Sequence, residues 1–117
     1  MGRAVMMEKR WSTRVPVNLD VALRYDALGI LRGRARDLSL EGMFIDTGRV
    51  MLPYHAALEI NFAMPDGDHR RLHAVPAVVV RTSNGGVGAM FRNIPVDTAR
   101  ALKSVMQRSE APVRPGG

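Results

Sequence analysis

Residues 15–25 have the sequence VPVNLDVALRY, and this stretch determines the fold class. Its odd positions are all apolar, whereas Asn18, Asp20 and Arg24 occupy even positions between them. Alternation with a period of two places the two sets of side chains on opposite faces of an extended chain. The stretch therefore predicts a strand with one buried face, and Asp26-Ala27-Leu28-Gly29 predicts a turn into a second strand.

Downstream of this hairpin the sequence predicts several more short strands. Arginines at positions 32, 34 and 36 share one face of the second strand, and Asn84-Gly85-Gly86 is typical of the turn in a later hairpin. The predicted strands lie at residues 15–25, 31–36, 43–45, 58–62, 72–80 and 87–91. Five or six short strands joined by turns are typical of a small antiparallel barrel or a sandwich.

Two features near the end of this region break the simple strand pattern. Pro76 has no N–H to donate to a neighbouring strand, so it predicts an edge strand or a bulge at that position. After Pro95 the period changes to that of a helix, with Asp97 and Thr98 at its start. The apolar face of this helix consists of Ala99, Leu102, Val105 and Met106. We expect the helix to cover an open end of the sheet.

The composition limits the class of protein. A chain of 117 residues with 46% hydrophobic residues fits one domain with its own core. It contains no cysteine, which excludes a disulfide scaffold, a thiolate zinc site and a cysteine nucleophile. No apolar run approaches the ~18 residues of a membrane span, and the first ten residues lack the apolar stretch of a signal peptide. We expect a cytoplasmic protein without membrane insertion.

Positive charge is concentrated in the first third of the chain. Residues 1–36 hold eight basic and three acidic residues, which accounts for five of the six net positive charges. Fifteen of the 17 basic residues are arginine, whose planar fork of donors suits phosphate groups and the edge of guanine. A GC-rich genome also favours arginine but does not explain the concentration. The pattern favours an anionic ligand or partner.

A first motif, Lys9-Arg10-Trp11-Ser12-Thr13-Arg14, precedes the first strand. The segment is predicted to be a loop or strand lead-in rather than a helix, because Pro16 and β-branched residues follow it. Two arginines on such a lead-in can close over a ligand with two negative charges. On its own the motif is better explained as a solvated basic segment.

A second motif, Asp37-Leu38-Ser39-Leu40-Glu41-Gly42, connects the second and third strands. If the extended conformation continues, Asp37 and Ser39 lie on the same face. The Asp37 carboxylate can accept hydrogen bonds from N1–H and N2–H₂ of guanine, and Ser39 supplies a further polar contact. Gly42 permits a positive φ or a close approach of the backbone to a ligand. Alone, this motif is better explained as a turn that an aspartate or serine side chain stabilises.

Together the two motifs resemble the paired signature of the PilZ domain, a bacterial receptor for cyclic di-GMP. Arg10-x-x-x-Arg14 is followed by Asp37-x-Ser39-x-x-Gly42, with a strand between the motifs. Residues 87–91 resemble the family's closing strand, so the resemblance extends over almost the whole chain. It implies a mainly β fold, a six-stranded antiparallel barrel with a C-terminal α-helix.

The resemblance also implies a binding site for cyclic di-GMP, with no further cofactor and no metal. Arginines of the first motif match those that hold ligand phosphates and guanine edges, and residues of the second match the barrel surface that receives guanine. The implied site residues are Arg10, Arg14, Asp37, Ser39 and Gly42, with Lys9 and Trp11 as secondary candidates. Lys9 stands where many family members have another arginine, and Trp11 would stack on a base or pack on the barrel.

The expected organisation is a flexible tail at residues 1–8, one domain at 9–108 and a disordered tail at 109–117. Within the domain we expect a lead-in loop at 9–14, the barrel at 15–92 and the helix at 96–108. A lone domain of this kind is expected to act as an adaptor. Ligand binding would order the lead-in against the barrel and create a surface for a separate, unidentified protein.

The sequence shows no arrangement typical of catalysis. It has no nucleophile elbow, no glycine-rich phosphate loop and no zinc-protease helix motif. His69 and His73 would share a strand face but lie ~13 Å apart, too far for one metal ion. We therefore predict that the protein is not an enzyme and that these histidines lie at a solvated hairpin end.

Two other functions are consistent with the sequence. A PilZ-type adaptor that binds no nucleotide is the first, although such adaptors typically have a degraded arginine motif and this chain retains Arg10 and Arg14. A basic barrel that binds RNA or single-stranded DNA is the second, supported by the net charge of +6 and by the predicted arginine face. Only 5% of the residues are aromatic, so stacking platforms are scarce and nucleic acid is the less favoured partner.

Overall fold

The alternating stretch forms strand β1, Val15–Tyr25. Its odd-numbered residues are buried or partly buried, whereas Asp20 and Arg24 are exposed, as a period of two predicts. Residues 26–28 form the turn, and β2, Gly29–Leu38, returns antiparallel to β1. The local pattern of apolar and polar residues is therefore sufficient to explain the first hairpin.

The structure, a computed structural model, describes residues 13–110. Six strands and one helix follow one another along this part of the chain. They are β1, β2, β3 (Gly42–Asp46), β4 (Ala57–Asp66), β5 (His69–Ser83), β6 (Gly86–Phe91) and α1 (Val96–Glu110). The strands form a closed barrel in the order β1-β2-β3-β6-β5-β4, with every neighbouring pair antiparallel. The predicted six-stranded antiparallel barrel with a C-terminal helix is confirmed, and the sandwich is excluded.

Apolar side chains from all six strands fill the barrel interior. Leu23, Ile45 and Ile60 are among those with no exposed surface. In β5 the inward residues are odd-numbered, so two residues that predict this strand, Leu72 and Val80, lie on its outer face with 79% and 41% of their surface exposed. The apolar residues Leu72 and Val80 predict the position of this strand correctly, but the side chains that face the barrel interior are those at odd positions.

A β-bulge in β2 changes which residues face outward. The register with β3 shifts between Ala35 and Asp37, which leaves Arg36 as an extra residue. Ala35 and Leu38 are buried, whereas Arg36 is exposed and Asp37 is partly exposed. Because of this bulge, Asp37 lies on the barrel surface while its neighbour Leu38 contributes to the core.

Pro76 lies in a closed barrel, so the predicted edge strand is wrong. It stands opposite Glu59 in an unbroken β4–β5 register, and the bulge in β5 occurs further on, after Val79. The Pro76 carbonyl accepts a hydrogen bond from the N–H of Arg92, just beyond the end of β6. Since the amide and carbonyl of a strand residue point to the same side, the missing donor of Pro76 faces the place where β6 has ended.

Helix α1 begins after Pro95 and packs against β1 and β4. Leu102 and Met106 are buried on its inner face, and Val105 is partly buried beside them. The predicted apolar face of the helix is thus the face that packs on the barrel. Within residues 13–110, no helix has the length and apolar character needed to span a bilayer.

His73 is an exception to the predicted solvated hairpin end, which is wrong for this residue. Its side chain is buried, stacks on Phe62 with ring centroids 5.8 Å apart, and places Nδ1 2.8 Å from Oγ1 of Thr98 in α1. His69, four residues earlier in β5, is exposed as predicted. The two histidines differ because α1 covers the inner face of the hairpin at His73.

Candidate functional site

Arg14 and Asp37 form an ion pair on the outer surface of the barrel. The pairing of β1 with β2 places Pro16 opposite Asp37, so the residue just before β1 reaches the outer end of β2. Arg14 Nη1 lies 2.7 Å from Asp37 Oδ1, and the two side chains remain 41% and 33% exposed. An exposed pair of this kind contributes only ~0–1 kcal/mol to stability. Both groups are therefore accessible to a ligand that competes for them.

Ser39 organises the turn between β2 and β3. Its side chain is buried, and Oγ accepts hydrogen bonds from the N–H groups of Glu41 at 3.1 Å and Gly42 at 3.2 Å. The Ser39 N–H also donates to the Gly42 carbonyl at 2.9 Å. The extended conformation ends at Leu38, so the prediction that Ser39 shares an outward face with Asp37 is wrong. In this structure the hydroxyl group holds the turn that follows Asp37.

Gly42 is required by a close approach of two strands. It lies opposite Met90 where β3 pairs with β6, and a Cβ built on Gly42 would overlap the carbonyl oxygen of Ala89. Its φ is not among the positive values found in the described residues. The positive φ is therefore not found at Gly42, and the group that approaches it closely in this structure is strand β6.

Beyond Asp37, a row of residues extends the outer surface across four strands. Successive partners in the register are Asp37 in β2, Phe44 in β3, Gly88 in β6 and Arg81 in β5. A Cβ on Gly88 would lie 3.4 Å from Arg81 Cβ and 3.6 Å from Arg81 Nε, so the Arg81 side chain lies over this glycine. The Phe44 ring similarly occupies the space above Gly86. The two glycines thus leave room for an aromatic ring and a guanidinium group on the barrel surface.

Phe44 and Arg81 are not among the site residues that the sequence predicts. Phe44 follows Gly42 by two residues, and glycines alternate at positions 86 and 88 of the last strand. Alternating glycines in a strand indicate that other groups approach its outer face closely. That signal is present in the sequence, but the partner strand cannot be identified without the barrel order.

The arginine face of β2 is exposed as predicted, but two of its members are in ion pairs. Arg34 Nη2 lies 3.0 Å from Asp20, and Arg36 Nη2 lies 3.1 Å from Asp46. These carboxylates compensate much of the positive charge on this face. The two carboxylates lower the net positive charge that a polyanion such as RNA would meet, so the face gives little support to a nucleic-acid site.

Three predicted site residues, Lys9, Arg10 and Trp11, lie outside the described residues. The sequence matches the model of the PilZ domain over residues 8–108, which include both motifs and all six strands. The chain belongs to the PilZ domain family. PilZ domains are receptor and adaptor domains for cyclic di-GMP, and they are generally not enzymes. The resemblance of the two motifs to the PilZ signature is thereby confirmed.

Two solved structures share the fold of this PilZ domain. The PilZ domain of CeSA from a cellulose-synthesizing bacterium has a TM-score of 0.65 and 20% identity, covering 86% of this chain and 100% of that chain. The Bacillus subtilis inhibitor of motility, MotI/DgrA, has a TM-score of 0.68 and 16% identity, covering 81% of this chain and 48% of that chain. At these identities the similarity shows the fold alone, and the PilZ domain matches about half of the motility inhibitor. Comparison with curated protein sequences gave no match.

Proposed function

We propose that this PilZ domain binds cyclic di-GMP on the outer face of β2 and β3 and passes the signal to a separate protein in the cytoplasm. The accessible Arg14–Asp37 pair carries the proposal. It combines a cation that suits phosphate and guanine with a carboxylate that accepts from guanine N–H groups. Each of the two family motifs contributes one member of the pair.

Guanine binding would proceed as an exchange of hydrogen-bond partners. Asp37 accepts from N1–H and N2–H₂ of one guanine, while Arg14 turns from Asp37 to a ligand phosphate or to O6 and N7 of a base. A good bidentate contact of arginine with guanine contributes ~1–3 kcal/mol of discrimination. The loss of the exposed Arg14–Asp37 pair costs only ~0–1 kcal/mol, so the exchange of partners subtracts little from the binding energy.

Phe44 and Arg81 extend the proposed site across the barrel. Neighbouring strands lie ~4.8 Å apart, so the three steps from Asp37 to Arg81 span about 14 Å. A ligand with two bases and two phosphates has comparable dimensions. Phe44 offers a surface on which a base stacks, an interaction of ~1–3 kcal/mol per base, and Arg81 supplies a second cation for phosphate or guanine.

Ser39 and Gly42 act in this proposal by fixing the surface that the ligand meets. Ser39 holds the turn after Asp37, and Gly42 lets β3 approach β6. Ligand contacts with Arg10 and Arg14 would hold residues 9–14 against the barrel, with Lys9 and Trp11 contributing to the closed segment. The new surface formed by this segment and the barrel is then available to a protein partner.

Calorimetric titration tests the proposal directly. Cyclic di-GMP, GTP and linear pGpG are titrated into the full chain at two salt concentrations. We expect saturable binding of cyclic di-GMP, at least tenfold tighter than either control, with a weak dependence on salt. A steep salt dependence would indicate a polyanion site, and no heat from a folded sample would overturn the proposal.

One structural observation favours a second candidate, an adaptor that needs no nucleotide. Arg14 and Asp37 satisfy one another, and the Ser39 hydroxyl group is already used within its turn. The described motif residues Arg14, Asp37 and Ser39 thus have partners without a ligand. If cyclic di-GMP gives no heat, capture of a partner protein that depends on this same surface would support the second candidate.

A further inference from the structure

A second cleft lies between α1 and the distal part of the β4–β5 hairpin, and none of its lining residues belongs to either motif. Arg100, Ser104 and Arg108 line it from α1, where a spacing of four residues places them on one face. Arg71 and the hairpin turn line the opposite side. The cleft has a volume of about 480 Å³, within the ~300–1,000 Å³ typical of small-molecule sites.

His73 forms the floor of this cleft. The residue is only 7% exposed, stacks on Phe62, and makes its one described hydrogen bond through Nδ1 to Thr98 Oγ1. Among the described residues, no fully buried side-chain nitrogen or oxygen lacks a hydrogen-bond partner, so Nε2 of His73, for which no hydrogen bond is described, retains accessible surface. His73 is itself one of the residues that line the cleft. When the Thr98 hydroxyl group donates to Nδ1, Nε2 carries the ring hydrogen and donates into the cleft.

The charges around the cleft favour an anion. Three guanidinium groups face two carboxylates, those of Asp66 and Asp97. Arg71 Nη2 lies 3.1 Å from the Asp97 carboxylate. This ion pair neutralises one of the two carboxylates and joins the start of α1 to β5. Within residues 13–108, Arg100 and Arg108 take part in no ion pair. Two arginines, the His73 imidazole and Ser104 therefore line the same cleft.

We propose that this cleft binds a small phosphate monoester. Arg100 and Arg108 hold the phosphate oxygens through charge-assisted hydrogen bonds, and His73 Nε2–H and Ser104 complete the set of donors. The volume exceeds that of a bare phosphate ion, which leaves space for the esterified group beside the hairpin turn. The proposal is independent of cyclic di-GMP binding, since it uses no residue of the first site.

Nuclear magnetic resonance titration of the full chain tests the proposal. The probes are inorganic phosphate, glycerol 3-phosphate and a nucleoside 5′-monophosphate, with glycerol as the uncharged control, all at constant ionic strength. We expect saturable shifts of the His73 ring and of the Arg100 and Arg108 backbone signals. Tighter binding of a monoester identifies an ester as the ligand, and equal binding of inorganic phosphate identifies the free ion. Both results support a phosphate site.

Matched variants of α1 separate a site from general attraction to positive charge. Arg100→Gln and Arg108→Gln should each raise the Kd at least about tenfold, because each removes a charged donor. Lys103→Gln removes the same charge from an exposed position outside the cleft and should leave the Kd unchanged. Non-saturating shifts, or an equal effect of Lys103→Gln, would overturn the proposal. Arg14→Ala should retain phosphate binding, which distinguishes this site from the cyclic di-GMP site.

Discussion

Arg14 Nη1 lies 2.7 Å from Asp37 Oδ1, and this contact joins two motifs that are 23 positions apart in the sequence. Each residue is the counter-ion of the other before any ligand binds. If the proposed site is right, removing either one has two effects: it deletes a ligand contact and leaves its former partner without a compensating charge. Because both side chains are exposed, water accommodates the remaining charge, and the effect on ligand affinity exceeds the effect on stability.

Arg14→Ala should weaken cyclic di-GMP binding without unfolding the protein. Loss of hydrogen bonds from a charged group costs ~1.5–3 kcal/mol, so the Kd should rise by about 10- to 150-fold. The free energy of unfolding should fall by less than about 1 kcal/mol, since the pair with Asp37 is exposed. Calorimetry measures the first quantity and chemical denaturation the second.

Arg24→Ala is the matched control for this variant. Arg24 is also an exposed arginine associated with β1, and its Nη1 lies 3.7 Å from Glu59 Oε1 on another part of the barrel. Its removal should change neither quantity appreciably. Equal affinities of the Arg14→Ala and wild-type proteins would show that the ligand site is elsewhere.

Asp37→Ala should reduce the discrimination between guanine and adenine. Guanine presents N1–H and N2–H₂ to the carboxylate, whereas adenine has no N1–H to donate. We expect the affinity for cyclic di-GMP to fall about tenfold or more, with little change for cyclic di-AMP, when both are titrated under the same conditions. If the two ligands weaken equally, Asp37 supports the turn and does not select the base.

Local sequence patterns predict the strands and turns of the fold well. They fail to predict which side chains face outward at the candidate site, because contacts between distant residues determine this. The alternation in β1 and the glycines at 85 and 86 act through neighbouring residues, so the hairpins follow from the sequence. The bulge at Arg36 has no comparable local signal, yet it is what places Asp37 outward and Leu38 inward. Extrapolating a period of two past this bulge gave the wrong orientation for Ser39.

His73 and Phe44 are two further residues whose surroundings the sequence does not predict, because they depend on packing between distant parts of the chain. His73 stands in a hairpin that looks solvated, but the helix that covers it begins more than twenty residues later. Phe44 becomes a surface residue of the candidate site because β3 pairs with β6, whose glycines at 86 and 88 receive its ring and the Arg81 side chain. Neither arrangement follows from sequence until the strand order is known.

Phe44→Leu should test whether the row beyond Asp37 belongs to the site. Leucine keeps an apolar side chain above Gly86 but removes the aromatic surface, so the loss should be that of one stacked base, ~1–3 kcal/mol. We expect the Kd for cyclic di-GMP to rise about fivefold or more, with a small change in melting temperature. An unchanged Kd would show that no base of the ligand stacks on Phe44.

Gly42→Ala should destabilise the barrel itself. The added methyl group would overlap the Ala89 carbonyl oxygen and lie 3.1 Å from Met90 Cα, and a backbone obstacle cannot rotate away. Overpacking of this kind costs ~1–3 kcal/mol or more, so thermal melting should occur about 10 °C lower. Gly88→Ala is the control, because its added methyl group would lie 3.4 Å from the nearest atom, Arg81 Cβ, which is an ordinary van der Waals contact. Similar melting temperatures for the two variants would contradict the close approach of β3 to β6.

Ser39→Ala should separate a turn residue from a ligand contact. The variant leaves the buried N–H of Gly42 without its acceptor, which costs ~1–3 kcal/mol of stability. Asp37 is held by strand pairing with Pro16 and Phe44, so it should keep its position, and the Kd for cyclic di-GMP should rise less than tenfold. Thr47→Ala is the matched control, since it removes another buried hydroxyl group, one that donates to the Val50 carbonyl at 2.9 Å.

Both hydroxyl variants are measured by thermal melting and by calorimetry at a temperature well below either transition. A comparable loss of stability in the two, with affinity almost retained, is the result expected of a structural hydroxyl group. The opposite result, an unchanged melting temperature and a large loss of affinity for Ser39→Ala alone, would mean that ligand binding rearranges the turn. The Ser39 hydroxyl group would then leave the Gly42 N–H and bind guanine directly.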